Sequence, residues 1–183
     1  MTSEMLELSC KITLLGDGSV GKTSLVSRFV HQTFKTDYQL TLGVNFLSKD
    51  VELDEALVNF LIFDLGGQEE FDVFRGRFLQ GSVGSLLVFD LTNFSSFWNV
   101  SKWLKELGEA GLSFETHPVV LIGNKSDVKK RMVPRDEIDL LIEEHPWAAY
   151  IETSAKTGDN VEEAFTILAR SILEKAGDTI MTA

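Results

Sequence analysis

The sequence predicts an α/β fold: a doubly wound, mostly parallel sheet of six strands with one antiparallel edge strand and about five helices. Three observations support this prediction. Short apolar segments alternate with segments of helical periodicity, two of the apolar segments lack polar alternation, and polar or glycine-rich loops follow the strands. In such folds, ligands bind beyond the carboxyl ends of the strands. We expect one domain over residues 1–183, with flexible ends at 1–7 and 176–183.

The first strand and the first helix flank a glycine-rich loop. LELSCKITLL is a short apolar run, and KTSLVSRFVH has apolar residues at helical spacing. Two later segments, VNFLSKDVEL and ALVNFLIFD, flank a polar turn at Asp54 and Glu55. This pattern predicts a β-hairpin whose second arm ends at Asp64, and the hairpin provides the antiparallel edge.

The second half of the chain continues the alternation of strands and helices. SLLVFD and VVLIGNK are nearly continuous apolar runs, which is typical of strands covered on both faces. Between them, apolar residues from Phe97 to Leu107 recur at helical spacing. PRDEIDLLIEE predicts a further helix between Pro134 and Pro146, and DNVEEAFTILARSILEK predicts the last one.

Composition and charge exclude several classes of function. No apolar run approaches the roughly 20 residues of a membrane span. The net charge of -11 argues against binding to nucleic acid and against general affinity for anionic membranes. The single Cys10 lies in an apolar run and is expected to be buried, and no signal peptide precedes it, so we expect a cytoplasmic, reducing location. His31, His117 and His145 lack metal-ligand spacing, so we expect them to be solvated or to cap helices.

The stretch GDGSVGKT has the pattern of a phosphate-binding loop between a strand and a helix. Gly16 and Gly21 let the backbone turn so that several N–H groups face one point, at the positive end of the following helix. Lys22 adds a charge for the β and γ phosphates, and Thr23 can bind Mg²⁺ through its hydroxyl. This motif alone does not separate kinases from ATPases or GTPases.

Motifs at three other strand ends narrow the choice of nucleotide. In DLGGQE, Asp64 can hold Mg²⁺ through a water, Gly67 can offer its N–H to a γ-phosphate, and Gln68 can orient an attacking water. In NKSD, the Asp127 carboxylate can accept two N–H bonds from guanine, whereas adenine would leave it partly unpaired. In ETSAK, a backbone N–H could meet guanine O6. The four motifs together predict a guanine nucleotide and Mg²⁺.

In this order and spacing, GDGSVGKT, DLGGQE, NKSD and ETSAK resemble the Ras superfamily of small GTPases over nearly the whole chain. LTLGVNF, SLLVFDLTN and NVSKWLKEL are most similar to the Rab family. Phe46, Phe63 and Phe78 stand where Rab proteins carry an aromatic triad for effectors, although ordinary core packing is an equal alternative. The resemblance implies the P-loop NTPase fold of small G proteins.

The resemblance also implies a role for each matched residue. Gln68, Lys22, Thr41 and Gly67 would be the catalytic group, and Thr23, Thr41 and Asp64 the metal ligands. Thr41 would contact the γ-phosphate, Phe34 and Lys125 would lie against the guanine, and Asn124 would tie its loop to the phosphate loop. The implied nucleotide-binding set is Gly16, Gly18, Ser19, Val20, Gly21, Lys22, Thr23, Ser24, Phe34, Tyr38, Thr41, Gly67, Asn124, Lys125, Asp127, Ser154, Ala155 and Lys156.

The sequence departs from the Rab pattern in three places. Leu65 and Gly66 replace the usual Thr and Ala, and the double glycine is similar to the Arf branch. The segment EEFDVFRGRFLQG differs from the usual switch II and carries acidic residues. The end LEKAGDTIMTA has no cysteine, so we expect no prenyl anchor on this chain: either a tail is missing from it or it is an unlipidated relative.

The predicted function is a monomeric GTPase switch that hydrolyses GTP slowly and is read by partner proteins. We expect effectors, an exchange factor and an activating protein that supplies an arginine to act through switch I and switch II. Vesicle trafficking or signalling is the implied setting, with membrane association only through partners. Two alternatives remain open: a GTP-loaded binding scaffold that hardly hydrolyses, and a P-loop kinase acting on a small molecule.

Overall fold

A computed structural model describes residues 5–34, 41, 43–54, 56–66 and 72–181, with side chains except at 72–75 and 178–181. Over these residues it has six strands and six helices. The strands are β1 Leu6–Leu15, β2 Val44–Glu52, β3 Ala56–Leu65, β4 Gly84–Asp90, β5 Val119–Asn124 and β6 Ala149–Thr153. The helices are α1 Lys22–His31, α2 Asp72–Leu79, α3 Phe94–Trp98, α4 Val100–Glu109, α5 Arg135–Glu144 and α6 Val161–Met181. Helix α3 has only five residues, and α4 begins two residues after it ends.

The strands form one sheet in the order β2-β3-β1-β4-β5-β6, which confirms the predicted fold class. Only the β2–β3 pair is antiparallel among the described strands. The backbone of Leu53 and Ala56 closes the predicted hairpin, with Leu53 N donating to Ala56 O at 2.8 Å. The order reverses at β1 and β4, so a crevice opens beyond the carboxyl ends of these two strands.

Helices cover both faces of the sheet and form two cores. On one face, α1 and α6 pack against the strands, and the Phe29 and Phe165 rings stack with centroids 3.8 Å apart. On the other face, the side chains of α4 meet those of β4 and β5, with Trp103 and Phe89 among the largest buried residues. Strands β4 and β5 are buried along their whole length, as their apolar runs predict.

His117 corrects one sequence prediction. Its side chain is 2% exposed, and its Nε2 lies 2.8 Å from the hydroxyl oxygen of Ser85 on β4. The expectation of a solvated or capping histidine is therefore wrong for this residue. Burial lowers the pKa of His117 to about 4, although the nearby Ser82 backbone opposes this shift. Cys10 is buried, as predicted.

Candidate functional site

The phosphate loop, residues 16–23, connects β1 to α1 with a strongly constrained backbone. Gly16 and Gly21 have φ angles of 132° and 99°, which other residues rarely adopt. A Cβ atom at Gly16 would collide with the Val88 carbonyl oxygen, and one at Gly21 would collide with the Asn124 side chain. Glycine is therefore required at both positions for the loop to approach β4 and β5 closely.

Lys22 is the first residue of α1 and lies inside the loop. Its side chain is 6% exposed, and its ammonium donates to the carbonyl oxygens of Gly16 and Asp17, both at 2.7 Å. The first turn of α1 has no side-chain cap, so its N–H groups face outward at the positive end of the helix. The loop thus presents an ammonium group and backbone donors to one point, which suits a phosphate.

A second cluster joins Thr23, Thr41 and Asp64. The Thr23 hydroxyl donates to Asp64 Oδ2 at 2.6 Å, and its oxygen lies 2.6 Å from the Thr41 hydroxyl oxygen. Asp64 is fully buried, and its other oxygen, Oδ1, has no hydrogen-bond partner. Burial raises the pKa of Asp64, while the Thr23 hydrogen bond and the charge of Lys22 oppose that shift.

This cluster fits Mg²⁺ better than a cation that needs an all-protein cage. The described residues contain no group of three or more His, Cys, Asp or Glu side chains arranged to hold a metal. Mg²⁺ commonly uses one or two carboxylates and completes its shell with water and phosphate oxygens. One buried carboxylate with an unpaired oxygen, beside two hydroxyls and a phosphate loop, matches that preference.

Asn124, the last residue of β5, ties three loops together. It is 1% exposed, and its amide nitrogen donates to Val20 O in the phosphate loop at 2.9 Å. Its amide oxygen accepts from the Thr153 hydroxyl at 3.1 Å and from Ala155 N at 3.3 Å. The base loop, residues 124–127, is thereby fixed against both the phosphate loop and the ETSAK loop, residues 152–156.

Lys125 and Asp127 follow Asn124 on the side of the crevice. Lys125 has a φ of 67°, and its ammonium donates to Ser19 O at 2.9 Å and pairs with Asp90 Oδ2 at 2.6 Å. Asp127 Oδ1 accepts from the Ser154 hydroxyl at 2.7 Å. Asp127 Oδ2 lies 3.9 Å from the Lys156 ammonium.

These loops enclose a cavity of about 360 Å³ beyond the strand ends. Phe34, 36% exposed, lines this cavity together with Lys125 and Asp127. The cavity is lined by Ser19, Gly21, Ser24, Phe34, Asn124, Lys125, Asp127, Val128, Ala155 and Lys156. Its volume lies in the range of small-ligand sites.

The structure brings most of the predicted site residues together. Gly18 lies exposed on the phosphate loop, where an added Cβ would meet nothing within 4 Å. Tyr38, Gly67 and Gln68 lie outside the described residues, so their predicted roles stay predictions.

Three residues of the site were missed by sequence reasoning. Arg28 on α1 donates to the carbonyl oxygens of Ala155 at 2.9 Å and Lys156 at 2.6 Å, and so holds the ETSAK loop. Asp90 forms an ion pair with Lys125, and the Asp17 carboxylate accepts a hydrogen bond from Trp103 on α4. The sequence could have indicated Asp90, because it ends an apolar strand at the same edge of the sheet as Asp64. No feature of the sequence indicated a role for Arg28 in the site.

The Phe46, Phe63 and Phe78 rings form a cluster between the hairpin and α2, and Phe63 and Phe78 also pack against the core on that face. The Phe46 and Phe63 centroids are 4.7 Å apart, and those of Phe46 and Phe78 are 6.4 Å apart. Phe46 is 58% exposed, whereas Phe63 and Phe78 are partly buried. The cluster is therefore not an enclosed core, and Phe46 presents it to solvent.

The doubly wound sheet, the phosphate loop and the base loop define a P-loop protein of the nucleotide-binding α/β class. The model of the Ras family matches residues 11–174. Ras-related protein Rab-13 from Rattus norvegicus is 39% identical over 169 residues, which are 91% of this chain and 81% of that protein. Ras-related protein Rab-9A from Mus musculus is 42% identical over 165 residues, 89% and 82% of the two chains. Ras-related protein Rab-10 from Diplobatis ommata is 38% identical over 176 residues, 96% and 86% of the two chains.

The chain belongs to the Ras family, and within it the chain is a Rab-like small GTPase, an enzyme that hydrolyses GTP. The expected resemblance is thereby confirmed. Across the part of the chain that the structure describes, every helix is too short or too polar to cross a bilayer.

Proposed function

We propose that the protein is a Mg²⁺-dependent switch that binds GTP, hydrolyses it to GDP and phosphate, and signals the state of its nucleotide to partner proteins. The observation that carries this proposal is the convergence of the phosphate loop, the Thr23–Thr41–Asp64 cluster and the base loop at one crevice. The phosphate, metal and base ends of one nucleotide are each matched by a group of suitable chemistry.

Guanine recognition is assigned to Asp127 in the base loop. Its carboxylate can accept two N–H bonds from the guanine edge, while the Ser154 hydroxyl keeps it oriented. Adenine has an acceptor in place of one of those donors, so it would leave the carboxylate partly unpaired. Phe34 and the stem of Lys125 would cover the two faces of the base.

Hydrolysis requires a water to attack the γ-phosphorus while the bond to the β–γ bridging oxygen breaks. Gln68 would orient that water, and the Gly67 N–H would hold the γ-phosphate. Lys22 would leave its loop carbonyls for the phosphates and offset charge on the bridging oxygen. Thr23, Thr41 and Asp64 would hold Mg²⁺, which when bound offsets negative charge on the phosphate oxygens.

Slow intrinsic hydrolysis is part of the proposal. Arg77 on α2 lines a groove with Glu106 and Glu109. That groove is separate from the residues that line the nucleotide cavity. We therefore expect an activating protein to supply an arginine to the phosphates.

After hydrolysis, loss of the γ-phosphate would release Thr41 and Gly67, so that partners distinguish the two states through switch I and switch II. As in other Rab-like proteins, regulation of vesicle trafficking at membranes is the proposed setting.

The test is to identify the nucleotide that copurifies with the protein and then to follow GTP hydrolysis under single-turnover conditions. We expect GDP or GTP in the preparation, a slow conversion of GTP to GDP, and no competition by ATP. Asp127→Ala should weaken guanine nucleotide binding roughly 10- to 100-fold, since it removes hydrogen bonds to a charged group. Asp136→Ala, on the exposed first turn of α5, is the matched control.

Three outcomes would contradict this proposal in different ways. Absence of guanine nucleotide affinity would refute it as a whole. Retained GTP with no GDP formed over hours would favour the binding scaffold instead. Fast hydrolysis by the isolated chain would contradict the need for an arginine from a partner.

A further inference from the structure

Asp17, the second residue of the phosphate loop, is joined to the helical segment after β4 by both of its carboxylate oxygens. Oδ2 accepts from Asn99 Nδ2 at 2.7 Å, and Oδ1 accepts from the indole Nε1 of Trp103 at 2.9 Å. Trp103 is 2% exposed and belongs to the core between α4 and the sheet. The loop is thereby anchored to a rigid part of the fold more than 80 residues away in sequence.

The position of Asn99 places this contact at the start of α4. Asn99 stands at the start of α4, where asparagine commonly caps the helix by accepting a backbone N–H. Its side chain makes no such cap here, and its amide nitrogen donates to Asp17. Asn93, which precedes α3, does cap its helix, with Oδ1 accepting from Ser95 N at 3.0 Å.

The same residue also contacts Lys22 through its backbone. The Asp17 carbonyl oxygen accepts from the Lys22 ammonium at 2.7 Å, so the anchored residue is a direct partner of the phosphate-binding lysine. If the side chain of Asp17 were released, its peptide group could rotate, and the loop backbone beside Lys22 would lose its fixed conformation.

We propose that Asp17 is a positioning residue: by fastening the phosphate loop to Asn99 and Trp103, it keeps the loop in its binding conformation and slows the release of guanine nucleotide. This inference rests on the proposed function, because it requires the loop to hold a nucleotide. Asp17 acts through the loop backbone, so it is not a catalytic residue.

The charge of Asp17 would act in the opposite direction. A carboxylate near a phosphate site repels the bound anion, so its removal alone would strengthen binding. Loss of the anchor, that is, of the hydrogen bonds from Asn99 and Trp103 to Asp17, should speed nucleotide release, whereas loss of the charge should slow it. Asn99→Ala and Trp103→Phe break the anchor and keep the charge, whereas Asp17→Asn removes the charge and leaves one side-chain oxygen for two donors.

The experiment loads the full chain with a fluorescent GDP analogue and Mg²⁺, adds excess unlabelled GDP, and measures the rate of release. We expect Asn99→Ala and Trp103→Phe to release the analogue about three- to tenfold faster than wild type, since each loses a hydrogen bond to a charged acceptor. Asp17→Asn should also be faster. The double variant Asp17→Asn/Asn99→Ala should be no faster than the faster single variant, because both changes break the same contact.

Asp50→Asn is the matched control. Asp50 also accepts from a side-chain amide, that of Asn59 at 2.6 Å, but it lies exposed on the hairpin. The Asp50→Asn variant should release the GDP analogue at the wild-type rate. Urea unfolding of each nucleotide-free variant separates a loss of overall stability from a specific effect on release. Asn99 is only partly buried, so its variant tests the proposal even if Trp103→Phe proves poorly folded.

Two results would overturn the inference while wild type still binds the analogue. One is release by Asn99→Ala at the wild-type rate. The other is slower release by Asp17→Asn, because the charge would then outweigh the anchor. If wild type binds no guanine nucleotide at all, the proposed function fails first and this inference fails with it.

Discussion

The buried His117 predicts a pH interval over which the protein loses stability. Its Nε2 lies 2.8 Å from the Ser85 hydroxyl oxygen, which lies 2.8 Å from that of Thr13. All three side chains are nearly or fully buried, and the two hydroxyls carry no charge that would stabilise an imidazolium ion. Burial therefore lowers the pKa of His117 to about 4, from 6.5 for an ordinary histidine.

The sign and size of the effect follow from these two pKa values. Below pH 6.5 the unfolded chain binds a proton at His117 that the folded protein does not bind until about pH 4. The contribution of this group is thus fully present above pH 6.5 and is lost as the pH falls toward 4. At about 1.36 kcal/mol for each pH unit, the loss amounts to about 3 kcal/mol of the free energy of unfolding.

The assay is urea unfolding between about pH 7.5 and about pH 4.5, at constant excess of nucleotide and Mg²⁺. His117→Gln keeps a hydrogen-bonding group beside Ser85 but removes the titration, so its stability should fall less steeply with acid than that of wild type. Val119→Ala, at an equally buried position, should lower stability by a similar amount at every pH. Equal pH slopes for wild type and His117→Gln would refute the reasoning.

The remaining predictions concern the nucleotide site. Gly66→Ala would place a Cβ 2.6 Å from the Thr41 carbonyl oxygen, so we expect single-turnover GTP hydrolysis to be about tenfold slower. In the control variant Gly108→Ala, the added Cβ meets nothing within 4 Å, so the hydrolysis rate should stay at the wild-type value. Asp64→Ala should abolish the acceleration of GDP release by EDTA, and an undiminished EDTA response would contradict its metal role. Arg28→Lys loses the guanidinium group whose two N–H donors reach two carbonyl oxygens of the ETSAK loop. The affinity for GDP, measured by calorimetry, should therefore fall about three- to tenfold. Unaltered GDP affinity of this variant would show that the ETSAK loop keeps its position without the Arg28 guanidinium group.

Much of the fold could be predicted because its signals are local. Strands β4 and β5 are covered by helices on both faces, so almost every residue in them is apolar. The polar turn at Asp54 marks the antiparallel hairpin in the same direct way. Parallel strand order then brings Thr23 and Asp64 to one edge of the sheet, although 41 residues separate them. That is why a metal site at these residues could be proposed from motifs at strand ends.

The contacts between loops could not be predicted in this way. Periodicity assigns a residue to a helix face but does not say which polar side chain meets it across the fold. His117 illustrates the limit: it stands in a polar loop sequence just before Pro118, yet the layers of the fold bury it against Ser85. Asp17 occupies an unspecified position of its motif, so its bonds to Asn99 and Trp103 required the packing of α4.

The segment between the end of β4 and the first turn of α4 is the common support of the two fixed loops at the site. At one end, Asp90 pairs with Lys125 of the base loop, and at the other, Asn99 bonds Asp17 of the phosphate loop. Lys125 also donates to Ser19 O, which joins the two loops directly and closes a ring of contacts. A change in this segment should therefore disturb phosphate and base binding together. The Thr23–Thr41–Asp64 cluster joins this ring through Thr23, the last residue of the phosphate loop, so the proposed metal site is held by the same support.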